Sequence, residues 1–496
     1  MTSSIDPAGA GGSLGAGAPA PAGHRIFTVG TLRYTTFGLV TLFFWLLWGD
    51  FFNSLLDTNV PSILPLKLND LGADDATVVI LNKTLAYAII FVFAPIVSFH
   101  SDRHRGRWGR RIPYLAWATP FVGLFMVLIG CYGDVVNLLI GNAAHATLLG
   151  FEISRKTLTL LVFGALFVGF DFANIFVGTV YWYLFNDVVP QQFLSRFLAL
   201  FRMVGIAAGM FYNKLIFPHA LDHFRMIFVV GGIAYVVCFL LMCCFVREGQ
   251  YPPPPPNLDC RKGFFSSART FATECFTHRF YWFFFLTSTC FAMSSQSTVF
   301  QLLRNRNALG LTLEQLGDVA FYSAPLNFLL QYPIAWLADR HNPIRVFFVA
   351  VAVCAAINVL QCIYIFRDFG PSGNLVLLYG LTFLYVPFYT MMWAAEIPMF
   401  MRLLPKERYG QFSSANAMLR SFAMIFGSLL VGFFMNYLQT GLGMGDFRYR
   451  FYPVWTAFFQ GLSLVFLVFL YREWKKRGGD KGYTPPMVAV PEVLPV

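Results

Sequence analysis

Charge is what this chain has least of. Asp, Glu, Lys and Arg make up 12% of its 496 residues and hydrophobic types 57%, whereas a soluble domain carries roughly 25% charged residues. Catalytic signatures are missing too. There is no HExxH, no GxSxG and no phosphate loop, and the eight histidines are scattered, so no enzyme constellation, metal site or cofactor is expected. The nine cysteines form no CxxC pair; most, such as Cys238, Cys243, Cys290 and Cys354, sit inside apolar runs and read as core packing. Residues 1–24 lack the basic stretch and apolar core of a secretory signal, and their glycines follow no strand, which removes a phosphate-loop reading.

What is present is a series of apolar blocks, each long enough for a helix to cross ~30 Å of hydrocarbon. They predict twelve spans near 34–56, 77–99, 112–132, 157–186, 193–214, 224–246, 279–301, 318–337, 343–366, 375–400, 410–437 and 449–471. The fold class expected is therefore an all-α polytopic membrane protein. Its domains would be a disordered tail (1–30), a six-helix bundle (31–246), a Pro-rich linker (247–277), a second six-helix bundle (278–472) and a tail (473–496). The triplet at Asn82 falls within a predicted span, which keeps a glycan off it.

Two local patterns recur across the linker. "SDRHRGRW" after span 2 is echoed by "ADRHNPIR" after span 8, and "VPQQFLSRF" by "LPKERYGQF" at the equivalent place in each half. Duplicated halves are an architecture of secondary transporters. The first half is longer between these landmarks, and the extra residues fall in 133–156, where a short helix lying over the mouth is expected. The net charge of +11 resides in loops beside the spans, as in membrane proteins with cytoplasmic basic loops, so nucleic acid is not an expected partner. Both termini are expected in the cytoplasm, the chain in the cell membrane as a monomer, and the bilayer as its surroundings.

The densest charge is "HSDRHRGRWGRR", residues 100–111. Pinning the loop to one side explains the arginines but not their order, with Asp102 before Arg103, Gly109 at a turn, and Arg110-Arg111 just before Pro113. This SDRxRxRWGRRxPY string resembles the loop between helices 2 and 3 of the major facilitator superfamily, most closely its sucrose-transporter-like branch and the neighbouring glycoside–pentoside–hexuronide:cation symporters. The resemblance implies two pseudo-symmetric six-helix bundles and a cytoplasmic gate in which Asp102, Arg103, Arg110 and Arg111 bond to helix ends. Asp339 and Arg340 are the counterparts in the second half. Charge-assisted bonds can hold one rocking state and be re-solvated in the other.

Ionisable residues within spans are expensive and default to functional candidates. In span 4, Asp171 is apolar-flanked, Asn174 shares its helix face and Asp187 follows sixteen residues on. That pattern also resembles sucrose-type transporters and implies that Asp171 is the proton carrier and Asp187 part of the gate. A buried carboxylate can serve so because desolvation disfavours its charged form; a structural ion pair with an arginine is the other reading. Where many plant sucrose carriers have arginine, this chain has Trp182, which departs from the pattern for sucrose and could stack on a sugar ring. Asp50 and Asn53 lie on one stripe of span 1 with Asp57, which is expected at the outer water interface.

Asp50 and Asn53 are candidates for substrate or cation contact, and Asp50 with Asp171 could instead form a sodium site. Arg202 and Arg420 lie inside their spans and each needs a carboxylate; Glu396 is the candidate for Arg420. Span 7 is interrupted by "SSQST", with Gln296 and Gln301 as candidates for sugar hydroxyls. The functional expectation is cation-coupled, chiefly H⁺-coupled, symport of a glycoside or small saccharide. Sodium coupling, or amphipathic cargo such as a lipid or muropeptide on the same fold, are the alternatives.

Overall fold

The computed structural model describes residues 27–29, 31–141, 143, 145–148, 151–250, 276–405 and 409–486, and for some of these, Asp102, Arg103 and Asp339 among them, the backbone alone. The chain winds through twelve spanning helices. The first six are α1 (Thr36–Asp70), α2 (Asp75–Val79, a π-helical turn Ile80–Thr84, then Leu85–Arg103), α3 (Ile112–Gly130), α4 (Arg155–Val188), α5 (Gln191–Phe211) and α6 (Phe224–Phe245). The second six are α7 (Arg279–Ser294, continued in short pieces to Ala308), α8 (Leu313–Arg340), α9 (Pro343–Gln361), α10 (Gly370–Leu403), α11 (Tyr409–Thr440) and α12 (Tyr452–Lys476). Ten helices among the described residues are long and apolar enough to cross a membrane on their own. The two others are α7, whose unbroken part has only 16 residues, and α8, which carries Asp318, Asn327 and Gln331.

Helix α1 runs fourteen residues beyond the expected end at 56. Asp57, Pro61 and Pro65 read as a helix stop, yet both prolines lie inside the helix. Pro65 has no N–H to offer the Pro61 carbonyl. The Asn82 amide of α2 donates to that carbonyl instead, at 3.4 Å, the kind of replacement that lets proline persist in a spanning helix.

The segment expected to hold a short helix does so at Tyr132–Ile140, followed by an antiparallel hairpin, His145–Leu148 with Phe151–Ser154. At the other face, Phe27–Val29 pairs with Leu32–Tyr34, so three residues of the expected disordered tail are a strand; residues 1–26 of that tail and 251–275 of the linker lie outside the described residues. The expected C-terminal tail is docked as far as it is described. Tyr281 donates its hydroxyl to the Pro486 carbonyl at 2.9 Å, and Asp480 pairs with Arg345 at 2.5 Å.

The face that carries the two hairpin strands 27–34 and residue 246 is called terminal, the opposite one distal. The halves meet through α2 on α11, α5 on α8 and α1 on the end of α7. Under duplication α2 corresponds to α8 and α5 to α11, so the first two contacts are equivalent, as a pseudo-twofold axis requires.

On the distal face Asp368, between α9 and α10, accepts from Arg450 (2.5 Å), the Gly370 N–H (2.9 Å) and Asn374 (3.1 Å). These donors, the Arg450 guanidinium first, hold its carboxyl below the usual carboxylate range. The stabilisation is complete above the ordinary carboxylate pKa and fades as pH falls through the lowered one. Because Asp368 is half exposed, no more than about 1 kcal/mol is at stake. Comparing melting temperatures from pH 7 to pH 3, the deficit of Asp368→Asn is expected to shrink with acidification; a deficit independent of pH would contradict the pairing.

Candidate functional site

Helices α1 and α4 run antiparallel and are tied where the Tyr181 hydroxyl donates to the Leu46 carbonyl at 2.6 Å. One turn on, Asp50 is fully buried; its Oδ1 accepts from Ser54 at 3.4 Å and its Oδ2 has no hydrogen-bond partner among the described residues. Two turns towards the distal face, Asn53 donates to Asp57 at 3.1 Å and Asn174 of α4 lies against the same carboxylate. Asp171 follows one turn further along α4, also with a buried Oδ2 that nothing described pairs with. Buried oxygens on Asn53 and Asn174, without a partner among the described residues, complete the group. A buried polar atom without a partner is rare and costly, and four on two facing helices point to a ligand.

Asp57 is therefore not at an outer interface. The extra fourteen residues of α1 place it at mid-depth, between Asp50 and Asp171. Counting from the Asn174–Asp57 contact, Asp50 and Asp171 stand about 15 Å apart along the helix axes at 1.5 Å per residue, which separates the two carboxylates expected as the alternative sodium site. Trp182 is half exposed, its ring against Phe185 and Phe201.

Across the pseudo-twofold, α7 is broken. Residues Ser295–Thr298 form a tight 3₁₀ turn, Val299–Leu303 are helical, and Arg304–Ala308 open into a π turn. Buried Arg304 fills that opening between the Tyr364 and Tyr452 rings, 4.9 and 4.7 Å from their centroids. Gln296 is fully buried; it donates to the Ala292 carbonyl and Ser295, and its Oε1 has no partner among the described residues. Gln301 is half-buried in the short helical piece.

The π turn of α2 carries Lys83 to this break, where its ammonium donates to the Ser295 carbonyl (3.0 Å) and Thr298 (2.9 Å). The sequence offered Lys83 only as the middle of a glycan triplet; its position inside a span was the available signal. Lys83→Met retains the stem and removes both bonds, worth about 1–3 kcal/mol. Its melting temperature in detergent is expected to drop, with Lys83→Arg recovering most of the loss; a Met variant as stable as the parent would contradict the assignment.

The interfacial locks divide by face. Distally, bonds cross between the halves. Asp75 of α2 takes Arg448 at 2.5 and 3.2 Å and the Tyr449 hydroxyl at 2.9 Å; Arg306 pairs with Asp70 at 3.1 Å and Lys214 with Asp318 at 2.5 Å. None of these was singled out in the sequence. On the terminal face, Arg110 and Arg111 both bind Asp187 at the end of α4, at 2.5 and 3.0 Å. Glu248 accepts the backbone N–H groups of Arg110, Arg111 and Ile112 at 2.6–2.9 Å, capping α3. Gly109, at φ +100°, is needed there because a Cβ would strike Glu248.

These arginines thus bond to a helix end, but to one within their own half; they order the first bundle. Asp102, Arg103 and Asp339, expected in the same gate, lie outside the described side chains, and Arg340 is exposed over the Trp336 ring at 5.1 Å. Arg420 pairs with Glu396 at 2.5 Å within the second half. Arg202, expected to need a carboxylate, is exposed and makes no ion pair with any described residue.

Residues 284–486 match the family model of the Major Facilitator Superfamily. A mouse "membrane-associated transporter protein" is 29% identical over 169 residues, 32% of this chain and 30% of that protein's length, so the match spans under a third of each. A bacterial homologue of the iron transporter ferroportin in its inward-facing state superposes with a TM-score of 0.62 at 14% identity, over 87% of this chain and 99% of its own; in its outward-facing state the score is 0.53. A D-xylose–proton symporter gives 0.60 at 10% identity, covering 87% and 97%. The chain has the major facilitator fold, twelve helices in two pseudo-symmetric bundles, and its second half carries the superfamily's sequence pattern.

Proposed function

We propose that this protein is a secondary transporter of the sucrose-transporter-like branch, moving a glycoside or small saccharide with a proton across the cell membrane by alternating access. The observation that carries the proposal is the pair of buried, unpartnered carboxylate oxygens of Asp50 and Asp171 on facing helices. Asp171 is the proton carrier. Asp50, Asn53, Asp57 and Asn174 offer hydroxyl-binding oxygens and amides from one half, and Gln296 and Gln301 from the broken helix of the other. The terminal face is cytoplasmic, since the basic loops gather there. The cross-half bonds are distal, so the conformer is the inward-facing one. A neighbour of the same fold is named a D-xylose–proton symporter, which supports a sugar and a proton as cargo.

The test is sugar-dependent proton movement in proteoliposomes, over mono-, di- and oligosaccharides. Uptake driven by an inward pH gradient is expected. Uptake that ignores the gradient and requires sodium would move coupling to another ion, and no response to any sugar would sink the saccharide reading.

A further inference from the structure

A cavity lies inside the first bundle, between α1, α6 and the end of α5. That end is irregular, with a π turn over Tyr212–Ile216 and a 3₁₀ turn over Phe217–His219. The irregular stretch stands off α6 and leaves a crevice of about 400 Å³ floored by α1, a size suited to a small-molecule ligand. The crevice opens sideways. Leu215, Met226 and Val230, on its border, are 58%, 63% and 54% exposed, and in a spanning helix exposed apolar residues at this depth face hydrocarbon. Gly231 lines it too, and a Cβ there would meet nothing closer than Met126 at 3.6 Å. A molecule dissolved in the bilayer can enter by this route.

Its two ends are polar. The distal end holds His219 and His223, both exposed, with ring centroids 5.9 Å apart. The deep end holds Asn59 and Tyr235, 7% and 2% exposed, and neither the Asn59 Oδ1 nor the Tyr235 hydroxyl has a hydrogen-bond partner among the described residues. From His223 to Tyr235 along α6 is about 18 Å at 1.5 Å per residue. An acyl chain ending in a methyl would leave the deep pair unsatisfied, at the usual cost of an unmade hydrogen bond.

We infer that this crevice is a lateral binding site for an elongated bilayer amphiphile with a hydrocarbon body and a hydrogen-bonding group at each end, of the side-chain-hydroxylated sterol class. One hydroxyl meets His219 and His223 at the interface. The hydrocarbon body lies over Phe52 and the Gly231 notch, and the far hydroxyl reaches Asn59 and Tyr235. Phe52 and Asn59 sit on α1 beside the stripe of Asp50, Asn53 and Asp57, so an occupant bears on the helix that carries the central carboxylates. The inference stands whatever the transported solute is.

The experiment uses the full chain in lipid nanodiscs, labelled with a photoreactive, alkyne-tagged sterol and read by peptide mass spectrometry. Labelling is expected on the peptides holding residues 211–235, competed by a side-chain-hydroxylated sterol roughly fivefold better than by the parent sterol, the effect of one added hydrogen bond. Tyr235→Phe is expected to abolish that preference while leaving parent-sterol competition unchanged, and Gly231→Phe to block labelling. If Gly231→Phe does not fold, the Tyr235→Phe comparison still decides. Labelling elsewhere, equal competition by the two sterols, or better competition by a fatty acid would each overturn the inference.

Discussion

Asp75→Asn is expected to open the distal face. Asp75 and Arg448 are both almost wholly buried, 1% and 4% exposed, and they belong to different halves. Two guanidinium nitrogens and the Tyr449 hydroxyl converge on one carboxylate, and Asn69 of α1 donates to that hydroxyl at 3.2 Å. Removing one partner of a buried pair leaves the other charge uncompensated, at about 3–5 kcal/mol. The low end applies here, because the Gly445 carbonyl, at 2.6 Å, still accepts from Arg448.

The cost falls on the closed conformer alone, since rocking the halves apart lets water reach Arg448. About 3 kcal/mol shifts the closed–open equilibrium by a factor of roughly a hundred. Spin labels on the distal ends of α1 and α7 would report a longer distance population in the variant. Asp134→Asn, which breaks an exposed pair with Arg225 inside one half, is the control and is expected to change nothing. A lowered melting temperature with an unchanged distance distribution would make Asp75 a folding contact instead of a gate.

The contrast between these two pairs also shows what the sequence could reveal. Span existence was legible because hydropathy alone decides it. The Arg420–Glu396 pair was legible too, since both charges lie at similar depth in neighbouring spans. Asp75 and Arg448 sit at the ends of their helices, where a charge reads as ordinary interfacial solvation, and nothing local links residues 373 positions apart. Asp57 was misplaced for a different reason. The apolar run breaks at Asp57 and at two prolines, and the carbonyl that Pro65 leaves without a donor takes one from the Asn82 side chain of a neighbouring helix. Lys83 depended on a π turn, which shifts the helical register by one residue and has no composition of its own. In each case the missing information was a partner from another helix.

Asp171→Asn is expected to uncouple transport from the proton gradient. Asparagine keeps the volume and one oxygen of aspartate and cannot take up a proton, so the variant tests proton carriage with little change of shape. In a coupled carrier the proton and the solute change each other's affinity by the same factor, typically 5- to 150-fold. Losing the proton site removes that factor: accumulation driven by a pH gradient is expected to collapse to equilibrium, while exchange of labelled for unlabelled solute, which needs no net proton movement, stays within about threefold of the parent. Asp50→Asn separates the two central carboxylates. Asp50 bonds Ser54 beside the Tyr181–Leu46 tie and is assigned to solute contact, so its variant should weaken exchange and gradient-driven uptake together. The reverse outcome, with Asp50→Asn uncoupled and Asp171→Asn merely weak in binding, would exchange the two roles. Equal loss of exchange and of driven uptake in Asp171→Asn would make that carboxylate a solute ligand, because a group needed only for the proton leaves exchange intact.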